Sequence, residues 1–267
     1  ADTGEKLAQL SKDVEFDVED TADNVAAEVT GSNGAGDLDE ANAVVVSGGD
    51  VTASEADAIQ SISGYVGSAS DYDITDTAAA LISATDSVLN VDGVDTVTVS
   101  DGPVLADTGE KLAQLSKDVE FDVVDNADAI AIEVADSGYG AGSLDEANNV
   151  AVVSGDVTAS EADAIQDIAK YSGADSDYDI TDNAAALISA GDEVLNVAGV
   201  DIVTASDTSV NANIGGDLAG FTADIEFDVV DNADAIAIEV ADSGYGAGSL
   251  DEANNVAVVS GDVTASE

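Results

Sequence analysis

The chain contains no cysteine, histidine, methionine or tryptophan, one proline, and only five basic residues against 57 acidic ones. All five bases are lysines: Lys6, Lys12, Lys111, Lys117 and Lys170. These absences close off much chemistry. Without His or Cys there is no thiol nucleophile, no Ser-His dyad and no zinc site of the nitrogen/sulfur kind. No apolar run reaches the 18 or so residues that a bilayer-spanning helix needs. A net charge of −52 argues against nucleic acid and anionic membranes, whose binders need basic patches. What remains is 45% hydrophobic, too much for a disordered acidic tail and enough to bury a core. The natural counter-ions are divalent cations, with calcium suited to all-oxygen ligands. The chain starts at Ala1 and stops in mid-pattern at Glu267, as expected of a processed piece or a window of something longer.

Self-comparison sets the organisation. The opening ADTGEKLAQLSKDVEFDV returns at Ala106, and residues 120–161 recur unchanged as 226–267. The chain is therefore divided into repeats at 1–105, 106–211 and a partial 212–267, without separate domains. Within one repeat a shorter motif starts at Asp107, Asp125, Ser160, Asp182 and Asn213, at spacings of 18, 35, 22 and 31 residues. Four coils, short and long in alternation, make one repeat.

Each coil has the same physical content. Segments such as VEFDVV, VAVVSGDV, YDIT and VDIVTA alternate or run apolar with β-branched residues, a strand signature. The Asp or Ser that follows predicts a helix N-cap at Asp20, Asp76, Asp107, Asp125, Asp182 and Asp231, with Ser160 and Asp163 in the form of a capping box. Leu112 with Leu115, and Ile165 with Ile168, share a helix face, while Ala127, Ala129, Ala184 and Ala186 let helices approach closely. Glycine-rich stretches such as SGYGAGS return the chain. One such coil cannot bury both its faces, whereas a stack can. The expected fold is a repeat solenoid: stacked strand–short-helix coils with a parallel β-sheet, rod-like. A discrete globular α/β domain is the alternative.

VTASEADAIQ, YDITDNAAALISA and VTVSDGPVLADTGEKLAQL resemble the Asp/Ala-rich tandem repeats of giant bacterial extracellular and cell-surface proteins, which often accompany haemolysin-type calcium-binding repeats. The resemblance covers essentially the whole chain. It implies an adhesin, surface-layer or matrix-fibre protein outside the cell. The glycine-rich nonapeptide of the haemolysin-type repeats is absent, so the resemblance carries no calcium ligands over.

The carboxylates are the groups to weigh as calcium candidates. Asp177 and Asp179 lie in a D-S-D-Y-D-I-T-D run, but Ile180 stands where a helix–loop–helix calcium loop needs Gly. Their plainer role is to alternate outward from a strand whose Tyr178 and Ile180 point inward. Asp37, Asp39 and Glu40, Asp145 and Glu146, and Asp251 and Glu252 follow glycine-rich turns, where backbone carbonyls could complete a calcium shell. Their plainer role is at a helix N-terminus. GYGAG lacks the third glycine of a dinucleotide fingerprint. Thr96 and Thr98 suggest an ice-binding ladder, broken where Ile202 replaces Thr96 in the next copy. Repetition argues against an enzyme, because a paired-carboxylate active site is one asymmetric constellation. The expectation is a non-enzymatic, cation-stabilised structural segment of a surface filament, sheath or matrix fibre, self-associating end to end or continuing into a longer chain. A calcium-dependent adhesin stalk or carbohydrate-binding rod is the alternative.

Overall fold

A computed structural model of the chain describes residues 2–8, 14–31, 38–84, 86–135, 141–241 and 248–261. In chain order the elements begin α1 (Asp2–Ala8), β1 (Asp17–Asp20), α2 (Ala22–Thr30), β2 (Ala43–Val51), α3 (Ala53–Gln60), β3 (Asp71–Asp76), α4 (Ala78–Ala84) and α5 (Asp86–Leu89). There follow β4 (Val94–Val99), α6 (Ala106–Ala113), β5 (Asp122–Asp125), α7 (Ala127–Ala135), α8 (Ala141–Leu144), β6 (Asn149–Val152), β7 (Asp156–Val157) and α9 (Ala159–Gln166). The series ends with β8 (Tyr178–Asp182), α10 (Ala184–Ala190), α11 (Asp192–Leu195), β9 (Val200–Ala205), α12 (Ala212–Ala219), β10 (Ile225–Glu226), β11 (Asp228–Asn232), α13 (Ala233–Ala241), α14 (Gly248–Asp251) and β12 (Asn255–Ser260). The fold is α/β with parallel sheets. Two compact bodies form, Ala1–Val123 with Glu146–Asn148, and Val124–Asp145 with Asn149–Glu267. The division falls inside the second sequence repeat rather than at its start.

In the first body the sheet order is β1-β2-β3-β4, every pair parallel and every crossover containing a helix. The second body repeats this as β7-β8-β9-β10. Period-2 alternation places one apolar column inward through the first sheet, Val51–Ile74–Val97, and another through the second, Val157–Ile180–Val203–Ile225. All seven side chains are buried. Several helices add buried aliphatic residues to this core, such as Leu81 on α4 and Leu187 on α10. At ~1.5–3 kcal/mol per buried aliphatic side chain, these columns supply the main stabilisation. Ala127 and Ala184 are buried at helix starts, while Ala129 and Ala186 are half-buried.

The helix caps differ from expectation by one or two residues. Among the N-caps are Thr52, Thr158, Asn183 and Asn211, whose side chains accept the amides of Glu55, Glu161, Ala186 and Ile214. The capping boxes are Thr52 with Glu55 and Thr158 with Glu161, so Ser160 and Asp163 lie inside α9. Asp76 and Asp182 precede their caps, and Asp107 sits in the first turn of α6 behind Leu105. Capping needs an extended residue whose oxygen reaches an amide three positions on. The Asp carboxylates are occupied elsewhere, as described below. Two further features do not follow from the sequence pattern: the short helices α5 and α11, and the splitting of VAVVSGDV. That segment is one bulged strand in the first copy and two strands, β6 and β7, in the second. At the break, Gly155 has φ 119°, and a Cβ there would stand 3.1 Å from the Ala127 backbone nitrogen.

Candidate functional site

The most repeated polar feature is a carboxylate that joins one coil to the next. Asp76 ends β3, where Thr77 N–H donates to its Oδ1 (2.8 Å) and Ala53 N–H donates to its Oδ2 (3.0 Å). Asp182 does the same with Asn183 (2.7 Å) and Ala159 (3.2 Å), and Asp231 with Asn232 (2.7 Å) and Ala212 (3.1 Å). Asp101 and Asp207 accept the amides of Ala78 (3.0 Å) and Ala184 (2.6 Å). Ala53, Ala78, Ala159, Ala184 and Ala212 are all first residues of helices. Such amides have no partner within their own helix, and the helix dipole favours a negative charge there. The neighbouring coil therefore completes each helix.

A second row of acids uses the same device. Asp73 accepts from Thr96 N–H (3.0 Å) and from the Thr96 hydroxyl, while Asp179 accepts from Ile202 N–H (3.1 Å). Asp86 takes both the amide (2.8 Å) and the hydroxyl (2.7 Å) of Ser116, and Asp192 takes the amide of Thr222 (2.8 Å). The Ser116 hydroxyl and amide hold the Asp86 carboxyl below the usual range. The amides of Asn232 and Ala212 do so for Asp231. At Asp192 burial pushes upward, but the amides of Thr222 and Ala223 outweigh it.

The calcium candidates fall mostly into this scheme. Asp39 accepts Ser63 N–H (2.8 Å) and Asp145 accepts Ala169 N–H (2.7 Å), one coil on in each case. Asp179 is taken by Ile202, whereas Asp177 is exposed beside inward-facing Tyr178 and Ile180. Glu40, Glu146, Asp251 and Glu252 are exposed, and Asp37 lies outside the described residues. Among the described residues no three carboxylates are grouped to hold an ion. The donor set thus does not fit a built calcium shell there. The helix-N-terminus role also needs correction. Asp145 and Glu146 follow α8, and Asp251 ends α14, because the Asp145 carboxylate reaches out to the next coil.

Two buried tyrosines pin the coil interior. Gln60 Nε2 donates to Tyr72 Oη (2.8 Å) and to the Val88 carbonyl (2.9 Å), and Gln166 repeats this with Tyr178 (2.8 Å) and Val194 (3.0 Å). Burial pushes both phenols up. Tyr65 and Tyr171 hydroxyls donate to the carbonyls of Asp92 and Ala198, each at 2.9 Å. The sequence signal for these pins was available in the 106-residue recurrence of Gln and Tyr, which motif searches for catalytic groups pass over.

Lys111 pairs with Asp107 (3.0 Å) on an exposed helix face, and Lys117 donates to the Val94 carbonyl (2.8 Å). Threonine pairs Thr75–Thr98 and Thr181–Thr204 run only two strands before Glu120 and Glu226 take the next position, so no longer ladder forms there. Equivalent open grooves of about 400 and 390 Å³ lie beside Ser54, Asp57 and Asp76 in one body, and Ser160, Asp163 and Asp182 in the other. No helix among the described residues is long and apolar enough to cross a membrane. No family model, curated protein or solved structure matches the chain.

Proposed function

We propose that the chain is a non-enzymatic extracellular structural protein: a tandem-repeat α/β solenoid segment of a bacterial surface filament, sheath or matrix fibre. One observation carries this. The same inter-coil bonds recur 106 residues apart, Ala53–Asp76 with Ala159–Asp182, Gln60–Tyr72 with Gln166–Tyr178, and Asp86–Ser116 with Asp192–Thr222. Strands follow one another in sequence order, so each coil's bonding partners are its neighbours, which is the logic of a solenoid. The polar groups are spent on holding neighbour to neighbour. The resemblance to giant surface-protein repeats supplies the location.

Cations act in this proposal by screening the −52 charge, since the carboxylates already face amides. Immunogold electron microscopy of intact producing cells, with antibody raised to this chain, tests the function. Label along surface fibres, with a ~4.8 Å meridional spacing in aligned material, is the expected result. Label confined to the cell interior overturns it.

A further inference from the structure

Residues 50–60 are identical to 156–166, and 71–84 match 177–190 but for Thr77, which becomes Asn183. The first segment of each pair forms a seat, the end of β2 with α3 in one repeat and β7 with α9 in the next. The second segment docks on it, β3 with α4 and β8 with α10. The two junctions agree bond for bond. Val51 pairs with Ile74, and Val157 with Ile180. Gln60 donates to Tyr72 and Gln166 to Tyr178, each at 2.8 Å, while Asp76 and Asp182 accept the amides of Ala53 and Ala159. Burial agrees as well: Ile74 and Ile180 are both 0% exposed, and Tyr72 and Tyr178 are 1% and 2% exposed.

Because the two seats are identical, a docked segment meets the same seat residues on either. The one change within the docked segments stays inside them. Thr77 and Asn183 each accept an amide of their own helix, from Ala80 (3.3 Å) and Ala186 (3.1 Å). Proximity is what favours a seat's own segment: a short link such as 61–70 holds it at an effective concentration of ~1 mM. That link is itself bonded to β2, through Val44 N–H to the Gly64 carbonyl (2.8 Å) and Val66 N–H to the Val44 carbonyl (2.9 Å). It is free only while the coil is unfolded, and its extended length is then about 33 Å.

We propose that two copies of this chain exchange these segments as they fold, β8–α10 of one docking on β2–α3 of the other in place of its own β3–α4. The displaced β3–α4 fits the vacated β7–α9, so no seat is left empty. The exchange joins unlike repeats, so one composite stack gains the 106 residues that the other loses. Chains are thereby linked and stacks lengthened through contacts that the single chain already makes. The inference rests on the stacked-coil reading above and names a second copy of the chain as the partner. Charge repulsion opposes it, and salt relieves this by shortening the screening length to a few ångström at ~0.5 M.

Oxidative refolding of mixed cysteine variants tests this, in a chain with no cysteine of its own. Ser47 on β2 pairs with Asp71 on β3, and Asp177 is the counterpart of Asp71 in the next repeat. Partners on adjacent strands lie ~4.8 Å apart, within disulfide reach. Full-length Ser47→Cys and Asp177→Cys chains are unfolded together, then refolded at ~1 mM in ~0.5 M NaCl with a thiol–disulfide buffer. A mixed disulfide between the two chains is expected by mass spectrometry, well above that from Ser47→Cys with Asp201→Cys, whose cysteine lies one strand further on, in β9. Refolding at ~0.01 mM is expected to lower its share roughly 100-fold. Mixing the chains after separate folding is expected to give only the control level. A mixed disulfide at the control level after joint refolding overturns the exchange, and so does an equal yield from chains folded beforehand. The double variant Ser47→Cys/Asp71→Cys is expected to close its disulfide within one chain, and its failure to do so removes the seat and the inference with it. Surface labelling of fibres on cells would survive a failed exchange, and its own failure would leave an observed exchange in place.

Discussion

The Asp76 carboxylate accepts the backbone N–H of Ala53 at 3.0 Å across 23 residues of sequence, and at the same time the N–H of its own neighbour Thr77. One acid therefore ends its own strand, orients the following cap and completes the helix of the preceding coil. A bond to a charged acceptor contributes roughly 1.5–3 kcal/mol when its partner is otherwise left without one. Repetition makes such bonds a series along each body rather than a site.

Removing one link should therefore be costly where removing a free acid is not. Asp182→Ala is expected to destabilise by about 1–3 kcal/mol, because Ala159 N–H and Asn183 N–H both lose their acceptor. Asp182→Asn keeps an oxygen and should lose less. Asp177→Asn, at an exposed side chain, should stay within ~0.5 kcal/mol of the parent. Urea unfolding followed by circular dichroism separates the three. Equal effects at 177 and 182 would remove the link's role.

Acid should dissolve the same network in a defined direction. Asp86, Asp192 and Asp231 have carboxyls held below their ordinary values in the folded state. Their stabilisation is complete above the unfolded value of about 3.9 and is lost as pH falls through the lower folded values. Neutralising other acids relieves repulsion at the same time, and that part disappears in high salt. Melting curves in ~1 M NaCl are expected to be flat from pH 7 to about 5 and to fall below about 4. A melting temperature that keeps rising with acid in high salt would contradict this.

Salt and calcium should part company. With the acids committed to amides and no three grouped around an ion among the described residues, chelation at fixed ionic strength is expected to leave the melting temperature unchanged. Raising NaCl from ~0.05 to ~0.5 M is expected to raise it. A drop on chelation alone would assign calcium a specific place.

The sequence made the strands legible because valine, isoleucine and tyrosine alternate with acids at positions such as 178–182, and the 106-residue recurrence made their repetition legible. It misplaced the caps. Asp76 and Asp182 look like caps in one dimension, since both Asp and the Thr or Asn after it are good cap residues. Only the amide of a helix 23 residues earlier decides which of the two caps and which links. Among the described residues the calcium candidates do not gather in threes, for the same reason. Asp39 and Asp145 stand beside glycine-rich loops in sequence, whereas their partners Ser63 and Ala169 lie in the next coil.

Alkali should attack the tyrosine pins. Burial raises Tyr72 and Tyr178 above the ordinary value of about 10, so both are neutral in the fold. Stability from them is complete below about pH 10 and declines as pH rises beyond it, because the unfolded phenols ionise first. Phenolate absorbance near 295 nm is expected to show these two titrating late and together with loss of circular dichroism. Tyr178→Phe removes the Gln166 bond, costs about 1 kcal/mol and abolishes its share of the late step. Two phenols that ionise reversibly in the intact fold would refute the pin.

Glycine positions separate tight packing from mere backbone conformation. A Cβ on Gly173 would stand 2.3 Å from the Ala198 carbonyl oxygen, the oxygen that Tyr171 uses, and a Cβ on Gly67 would stand 2.4 Å from the Asp92 oxygen. Neither contact is relieved by a side-chain rotation, because backbone stands on both sides. Gly102 has φ 86° and nothing within 4 Å of such a Cβ, so alanine there meets only the ~1 kcal/mol cost of a left-handed residue. Gly173→Ala and Gly67→Ala are expected to cost about 2–4 kcal/mol, since overpacking must move two neighbouring coils apart. Their melting temperatures should fall well below that of Gly102→Ala. Amide exchange at Tyr178, whose N–H donates to the Gly199 carbonyl (2.9 Å), should accelerate in Gly173→Ala alone. Equal melting of Gly173→Ala and Gly102→Ala would mean that the coils are not in the close register described, and the links at Asp182 would lose their geometric basis with it.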